Sequence, residues 1–431
     1  MENMERRRFL GMTASGVAGA AGLTSLSGCG AGSGSGDVTL KLVAADYGDP
    51  GGNNSSETYW KSLADAFTKK NPGIQVEVTV HSWNVIGKKL NEMVESGNVP
   101  DMAQLDSYAN WAAEGRLYKV SELLPIPAQA AFLVPLAEAG EVRRVQYGLP
   151  FVASTRLLFY NKSLFAKAGL DPDSPPKSWE DLKTAAKALK AAGVKIPYGL
   201  PLGPEEAQSE ADMWMISNGG SYVDGVGNYT INSPRNIEAF TWLRDNLVAP
   251  GLTNPRPDRT NRQDLFDAFG RGEVGMLNGH PTLMPQADRH SVQYGTGKLP
   301  GKGGAADGTL GVADWMMAFK ENGHRVECGK FLSFVYQEKN HYAFADRYDL
   351  MPVTIATTER MRRDPRHKEL WRFLDRLNGA EFFPVGKVSW ATINTELKTT
   401  IGKAALKGAD PKAVLSGLQR KAEAADKKAE R

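Results

Sequence analysis

Between Val38 and Leu105 the chain changes its hydrophobic period from one element to the next, and this alternation constrains its fold more than any other feature. Val38, Leu40 and Leu42 alternate with polar residues, as a half-buried strand requires. Trp60, Leu63, Ala64 and Phe67 then recur at helical spacing, and Pro72-Gly73 ends that helix. Ile74, Val76, Val78 and Val80 return to alternation, Ile86, Leu90, Met93 and Val94 to helical spacing as far as Gly97, and Pro100 precedes a third strand, Asp101 to Leu105. Strand, helix, strand, helix, strand is the opening of an open parallel α/β sheet. Ligands bind such sheets beyond the carboxyl ends of the strands, which places the loops after Ala45, Val80 and Leu105 on one rim.

A second region of the same kind is expected from Gly148. Leu157 to Tyr160 form an apolar run, Asn161-Lys162 opens a short helix, and Ser178 with Asp181 has capping-box spacing ahead of Leu182, Ala185, Ala186 and Leu189. Further helices are expected over Ala211 to Ser217, Pro234 to Leu247 and Arg259 to Phe269, and the tail from Pro411 reads as a polar, frayed helix. At 431 residues the chain is roughly two to three times an ordinary domain, so two lobes are expected. Its 41% hydrophobic and 23% charged residues exclude a wholly disordered or multi-span membrane protein. A net charge of +3 argues against a nucleic-acid binder.

The first 36 residues read as an address. Arg6-Arg7-Arg8-Phe9-Leu10 precedes an uncharged run of Gly, Ala, Ser and Thr that lasts to Asp37, the layout of an export signal. It resembles the twin-arginine type, with an ordinary Sec signal as the alternative. Leu26-Ser27-Gly28-Cys29 looks like a lipobox, which predicts a signal peptide over 1–28, a lipidated Cys29 and a flexible Gly/Ser tether to residue 36. The other cysteine, Cys328, is expected to be a buried apolar residue without a disulfide partner.

No P-loop, His-Glu-x-x-His or Gly-x-Ser-x-Gly occurs, and the six histidines lack metal-ligand spacing, so no catalytic residue, metal or cofactor is expected. A carboxylate pair for glycoside hydrolysis stays open, because such pairs meet in space rather than in sequence. Among nine tryptophans, Trp60, Trp179, Trp242 and Trp371 fit helix packing, whereas Trp83, Trp315 and Trp390 lie at strand ends or in irregular segments. Exposed rings beside carboxylates suit sugars: rings stack on C–H faces and carboxylates accept from hydroxyls.

Four stretches together carry a resemblance to a known family. They are Trp60 to Phe67 with Asn71-Pro72-Gly73-Ile74; Gly97-Asn98-Val99-Pro100-Asp101; Tyr160 to Leu170 continuing through Pro176, Trp179 and Leu182; and Phe269 to Met276 leading to Asn278-Gly279. In this order, behind a lipobox, they resemble the bacterial extracellular solute-binding proteins, the receptor lipoproteins of ABC importers, and within them the sugar-binding group that includes maltose-binding protein. The resemblance implies a periplasmic-binding-protein-like fold: two α/β lobes, each an open sheet flanked by helices, a three-segment hinge and a ligand cleft between the lobes. Crossings are expected near Gly148–Ser154, Gly308–Asp314 and Tyr348–Thr354, with lobe one holding 37–149 and 313–348 and lobe two 150–310 and 353–431.

The resemblance also carries ligand positions. Asp46 and Tyr47 follow the first strand, Trp83 ends the second, and Asp106 follows the third. Ser154 stands where maltose-binding protein has a ligand carboxylate, and His280 where relatives show an aromatic residue. Asp314-Trp315 lies on the second crossing, Trp390 matches a stacking tryptophan, and the 204–210 segment matches a ligand-contacting loop without a fixed register. The partners implied are a carbohydrate, an ABC permease and the membrane through lipidated Cys29 on its extracytoplasmic face, with a monomeric receptor expected. A secreted carbohydrate-active enzyme and a polyamine receptor are the alternatives.

Overall fold

In the computed structural model of the protein, residues 37–48, 54–83 and 85–429 are described. The export address and Cys29 therefore lie outside the described residues. The alternating run becomes β1 (Val38–Ala45), which pairs in parallel with β2 (Ile74–His81) on one side and β3 (Met102–Leu105) on the other. The helix between β1 and β2, Ser56–Lys70, is capped by Ser55, has Glu57 in its first turn and Lys69 and Lys70 in its last, and buries Tyr59, Trp60, Leu63 and Phe67. Gly73 takes φ +91° in the turn that follows, where a side chain would be strained.

Two small strands, β4 (Glu141–Val142) and β5 (Val145–Gln146), form a hairpin, and the chain then enters β6 (Leu149–Thr155). After Arg156 it continues straight into β7 (Leu157–Asn161) of a second sheet. That sheet has the order β10-β7-β9-β8, with β8 (Ile196–Gly199), β9 (Val274–Gly279) and β10 (Tyr294–Gly297). Only β8 and β9 are parallel; β7 runs antiparallel to both neighbours. The second region is thus a mixed sheet rather than a repeat of the first, because β7 arrives directly from β6 instead of through a crossover helix.

The first sheet is completed by β11 (Thr309–Ala318) and β12 (Ala380–Phe382), in the order β12-β11-β3-β1-β2 with β6 also on β11. β6 and β11 run antiparallel side by side, and Met351 bridges Ala153 on β6. The three segments expected to cross therefore lie next to one another. Trp60 stacks on Phe151 of β6 at 5.2 Å and joins the first helix to this strand.

Local signals locate the helices of the second region. Asn161 accepts from the Leu164 amide, and Ser178 and Asp181 form the expected capping box for Trp179–Ala191. The expected 211–217 helix starts earlier, at Ala207–Ile216; every one of its residues is buried, so it has no polar stripe to reveal its limits. Pro234–Leu243 passes into a π turn, Arg244–Val248, and the next helix opens at Arg262, where Asn261 and Asp264 provide the capping box. Cys328 is fully buried on Arg325–Val335. Among the described residues no helix is long and apolar enough to cross a membrane.

The tail is not frayed. Pro411–Ala429 buries Leu415, Leu418 and Ala422, and Gln419 accepts from the Ile231 amide and donates to the Tyr229 carbonyl. Ending the chain at Asp410 is expected to cost about 4 kcal/mol from the two leucines and this lost pairing. A lower urea midpoint would show it; an unchanged midpoint would mean that the helix does not hold the fold.

Candidate functional site

The parallel register of β1, β2 and β3 brings their carboxyl ends to a common rim, as the period predicts. Tyr47 and Trp83 meet there edge to face at 5.8 Å, and Trp83 is 37% exposed. The Tyr47 hydroxyl accepts from Gln104 Nε2 at 3.0 Å, and its ring packs on Phe344 and Tyr348. Asp106, half-buried, accepts from the Ser107 hydroxyl. Asp46 is on the same rim but occupied by its own loop. Its carboxylate accepts from the Gly48 and Ser56 amides at 3.0 and 2.8 Å and from the Ser55 and Ser56 hydroxyls. Burial works to raise the carboxyl, and these hydrogen bonds outweigh it and hold the group ionised below its usual range. As placed, Asp46 braces the entry to the first helix rather than offering a free acceptor.

The β6/β11 ribbon supplies a second surface. Ser154 pairs with Val312 and Val152 with Asp314, so these four side chains share one face. Asp314 is half-buried, accepts no hydrogen bond among the described residues, and burial pushes its carboxyl up to about 8. A carboxyl left without partners inside a protein is a mark of a functional site. Trp315, expected to accompany it, is instead in the core on the opposite face, 1% exposed, with Tyr108 at 5.9 Å. Strand alternation separates the two residues: consecutive side chains cannot both face one cleft.

Arg156 reaches back from the end of β6 to donate to Ser154 Oγ at 2.8 Å, and it is 3% exposed. Its other guanidinium nitrogen meets Glu206 at 2.9 Å. Arg262 closes a chain of charges: Nε lies 2.7 Å from Glu206 and Nη2 2.5 Å from Glu205, which also accepts the Gln263 amide. Burial alone would raise Glu206, but Arg156 and Arg262 hold it at about 2. One turn on, burial pushes Glu210 up to about 8 despite hydrogen bonds from Trp214, Tyr198 and Asn278. His280 lies in the same cavity, its ring 5.1 Å from Phe266 and its Nδ1 2.9 Å from Thr282 Oγ1. Burial, then Arg156 and Arg262, push the imidazole well below its usual range and leave it uncharged.

Helix Ala207–Ile216 turns its other face to Trp390. That ring is 1% exposed, stacked on Phe383 at 5.3 Å with Tyr222 at 5.6 Å, so it presents no open face as placed. Beside Tyr222, Asp212 is 3% exposed with Oδ1 unpartnered, and burial, then Glu381, push its carboxyl well up. The helix Trp390–Thr400 packs on Ala109–Ala113, just beyond Asp106.

Of the residues expected from sequence, Ser154 and Asp314 thus share a face, His280 lines the same cavity as Arg156 and Glu206, Tyr47 and Trp83 touch, and Trp315 and Trp390 are core. Glu206 and Glu210 lie in the 204–210 segment expected to contact ligand, although neither was singled out there, and Arg156, Arg262 and Asn278 were not expected as site residues. Arg156 was open to inference, since residues two apart on a strand share a face; the others meet only in space. The scattered histidines do yield one cluster among the described residues, His367 with Asp346 and Asp364. Arg366 already bridges its two carboxylates, at 3.2 and 2.6 Å.

Comparison with known proteins gives four findings. A family model described as bacterial extracellular solute-binding protein matches residues 51–342. A binding protein of Brucella abortus is 28% identical over 414 residues, 90% of this chain and 93% of the relative. The sn-glycerol-3-phosphate-binding periplasmic protein UgpB of Escherichia coli is 27% identical over 222 residues, 48% of this chain and 49% of its own length. In fold the chain is similar to the cyclic alpha-maltosyl-1,6-maltose binding protein from Arthrobacter globiformis, with TM-score 0.74, 19% identity and coverage of 91% and 100% of the two chains, and it shares that protein's two-lobed architecture.

Proposed function

Because this chain belongs to the bacterial extracellular solute-binding protein family, we propose that it captures a carbohydrate in its interlobe cleft and delivers it to the permease of an ABC importer. In this reading the lobes are 37–149 with 313–348 and 150–310 with 353–431, and the β6/β11 ribbon with the Met351 segment is the hinge on which they close. The receptor is a monomer held at the extracytoplasmic face of the membrane by lipidated Cys29, behind a cleaved twin-arginine signal.

The charge balance of the cavity carries the choice of ligand. A phosphoester needs a convergent, uncommitted cation, and both guanidinium groups are committed to Glu205 and Glu206. A polyamine needs free carboxylates, and Glu206 is committed while Glu210 and Asp314 hold their protons at neutral pH. What remains are uncharged donors and acceptors, which suit the hydroxyls of a sugar. A melting-temperature panel of maltose, mannobiose, D-tagatose, spermidine and sn-glycerol 3-phosphate tests this. A sugar at about 100 times its dissociation constant adds roughly 2.7 kcal/mol and a clear rise, with none for the phosphoester or the amine. A rise with sn-glycerol 3-phosphate alone would overturn the reading.

Asp314 favours one other reading, since a carboxyl protonated at neutral pH is what a glycosidase acid requires, with Asp106 as its partner. Chromatography of the bound sugar after long incubation separates the two: a receptor returns it unchanged.

A further inference from the structure

Two buried side chains in the cavity are bonded to each other and yet each keeps one polar atom without a partner. Glu210 Oε1 accepts from Trp214 Nε1 at 2.9 Å, Asn278 Nδ2 at 3.2 Å and the Tyr198 hydroxyl at 3.3 Å. Glu210 Oε2 and Asn278 Oδ1 are buried with no partner among the described residues. Glu210 is 2% exposed and Asn278 6%, and both line the cavity with Arg156, Glu206 and His280. An anionic Glu210 here would have one bare oxygen and no cation bonded to it, because the nearby guanidiniums bind Glu205, Glu206 and Ser154. Loading all three donors on one oxygen leaves the other free to carry the proton.

We propose that Glu210 acts as an uncharged carboxylic acid whose Oε2–H donates to a hydroxyl oxygen of the ligand, while the same hydroxyl donates to Asn278 Oδ1. A hydroxyl group is both donor and acceptor, so it satisfies both orphan atoms at once; an anionic oxygen satisfies only the first. This rests on the sugar reading above and makes Glu210 a specificity residue of that site. Capture then requires the Glu210 proton, and affinity falls as that proton is lost near pH 8. Of the other groups facing Glu210, beside the Arg156 and Arg262 guanidiniums, Glu206 stays ionised, His280 neutral and Tyr198 protonated between pH 6 and 9.5. Asp314, on the neighbouring ribbon, titrates in the same range and has to be separated from it.

The test has two arms on the full chain. The first titrates the Glu side-chain carboxyl carbons by NMR, with Glu210→Gln identifying the Glu210 signal. That signal should move near pH 8, and movement complete below pH 6 would overturn the proposal with or without ligand. The second measures the dissociation constants of maltose, mannobiose and D-tagatose by calorimetry from pH 6 to 9.5. The wild type should weaken about thirty-fold by pH 9.5. Glu210→Gln, whose amide has no proton to lose in this range, should bind with a flat pH profile. A pH dependence that survives in Glu210→Gln and vanishes in Asp314→Asn would move the effect to Asp314 and overturn the proposal while leaving the sugar reading intact. No binding of any sugar at pH 6 would overturn both.

Discussion

Arg156→Met is expected to cost about 3 kcal/mol of stability, because it removes one partner of a buried ion pair. The methionine roughly fills the space of the aliphatic stem, so the loss is electrostatic. Glu206 keeps Arg262 at 2.7 Å but loses the second cation that holds it ionised in a buried setting. Ser154 Oγ loses its donor in the same step. Removing one partner of a buried pair is costlier than removing both, because an uncompensated charge remains. Arg156→Met with Glu206→Gln should therefore recover most of the loss. Urea midpoints of the wild type, the two single variants and the double variant check this, and a loss below about 1 kcal/mol in Arg156→Met would mean that the pair is solvent-screened and not structural.

Asp314→Asn is expected to act in the opposite direction on stability while weakening the ligand. The folded carboxyl titrates near 8, far above its unfolded value of about 3.9. Between those values the folded state binds more protons than the unfolded one, so this group lowers stability steadily as pH rises from about 4 to about 8. Above pH 8 the loss is complete. Asparagine has no charge to desolvate, and at pH 8 the variant should be more stable than wild type by about 2 kcal/mol, with the difference gone near pH 4. The full shift would imply more, but Asp314 is only half-buried and solvent relieves part of the cost. Sugar affinity should fall about tenfold if the side chain bonds the ligand. Melting temperatures at pH 4 and pH 8 decide the first part. Equal stabilities at both would show that Asp314 is solvated in solution. A stabilising change that harms binding is what a site group kept at the expense of the fold predicts.

Much of the first sheet was legible because its information is local. Period-two runs at Val38 to Leu42 and Ile74 to Val80, a helical run at Trp60 to Phe67 and punctuation at Pro72-Gly73 each act within a few residues. The Ser178–Asp181 box and the Asn161 cap are legible for the same reason. The helix Ala207–Ile216 was blurred because burial on all sides erases the polar stripe that marks a helix. The tail was misjudged because its charged residues conceal a narrow buried row, Leu415, Leu418 and Ala422.

For the site, residue type was a poorer guide than neighbours. Asp46 reads as a free acceptor in sequence, and four donors from its own loop claim it. Asp314 and Trp315 read as a pair, and the strand turns them to opposite faces. By itself the sequence determined the order of the first elements, the rim on which the first loops meet and the family. Tertiary structure alone decided the direction of the second sheet, the buried positions of Trp315 and Trp390, and the meeting of Arg156, Glu206, Arg262 and Asn278. Caps and periods are short-range interactions encoded by adjacent residues, whereas the charge state of a carboxyl depends on what burial and distant strands place within a few ångströms of it.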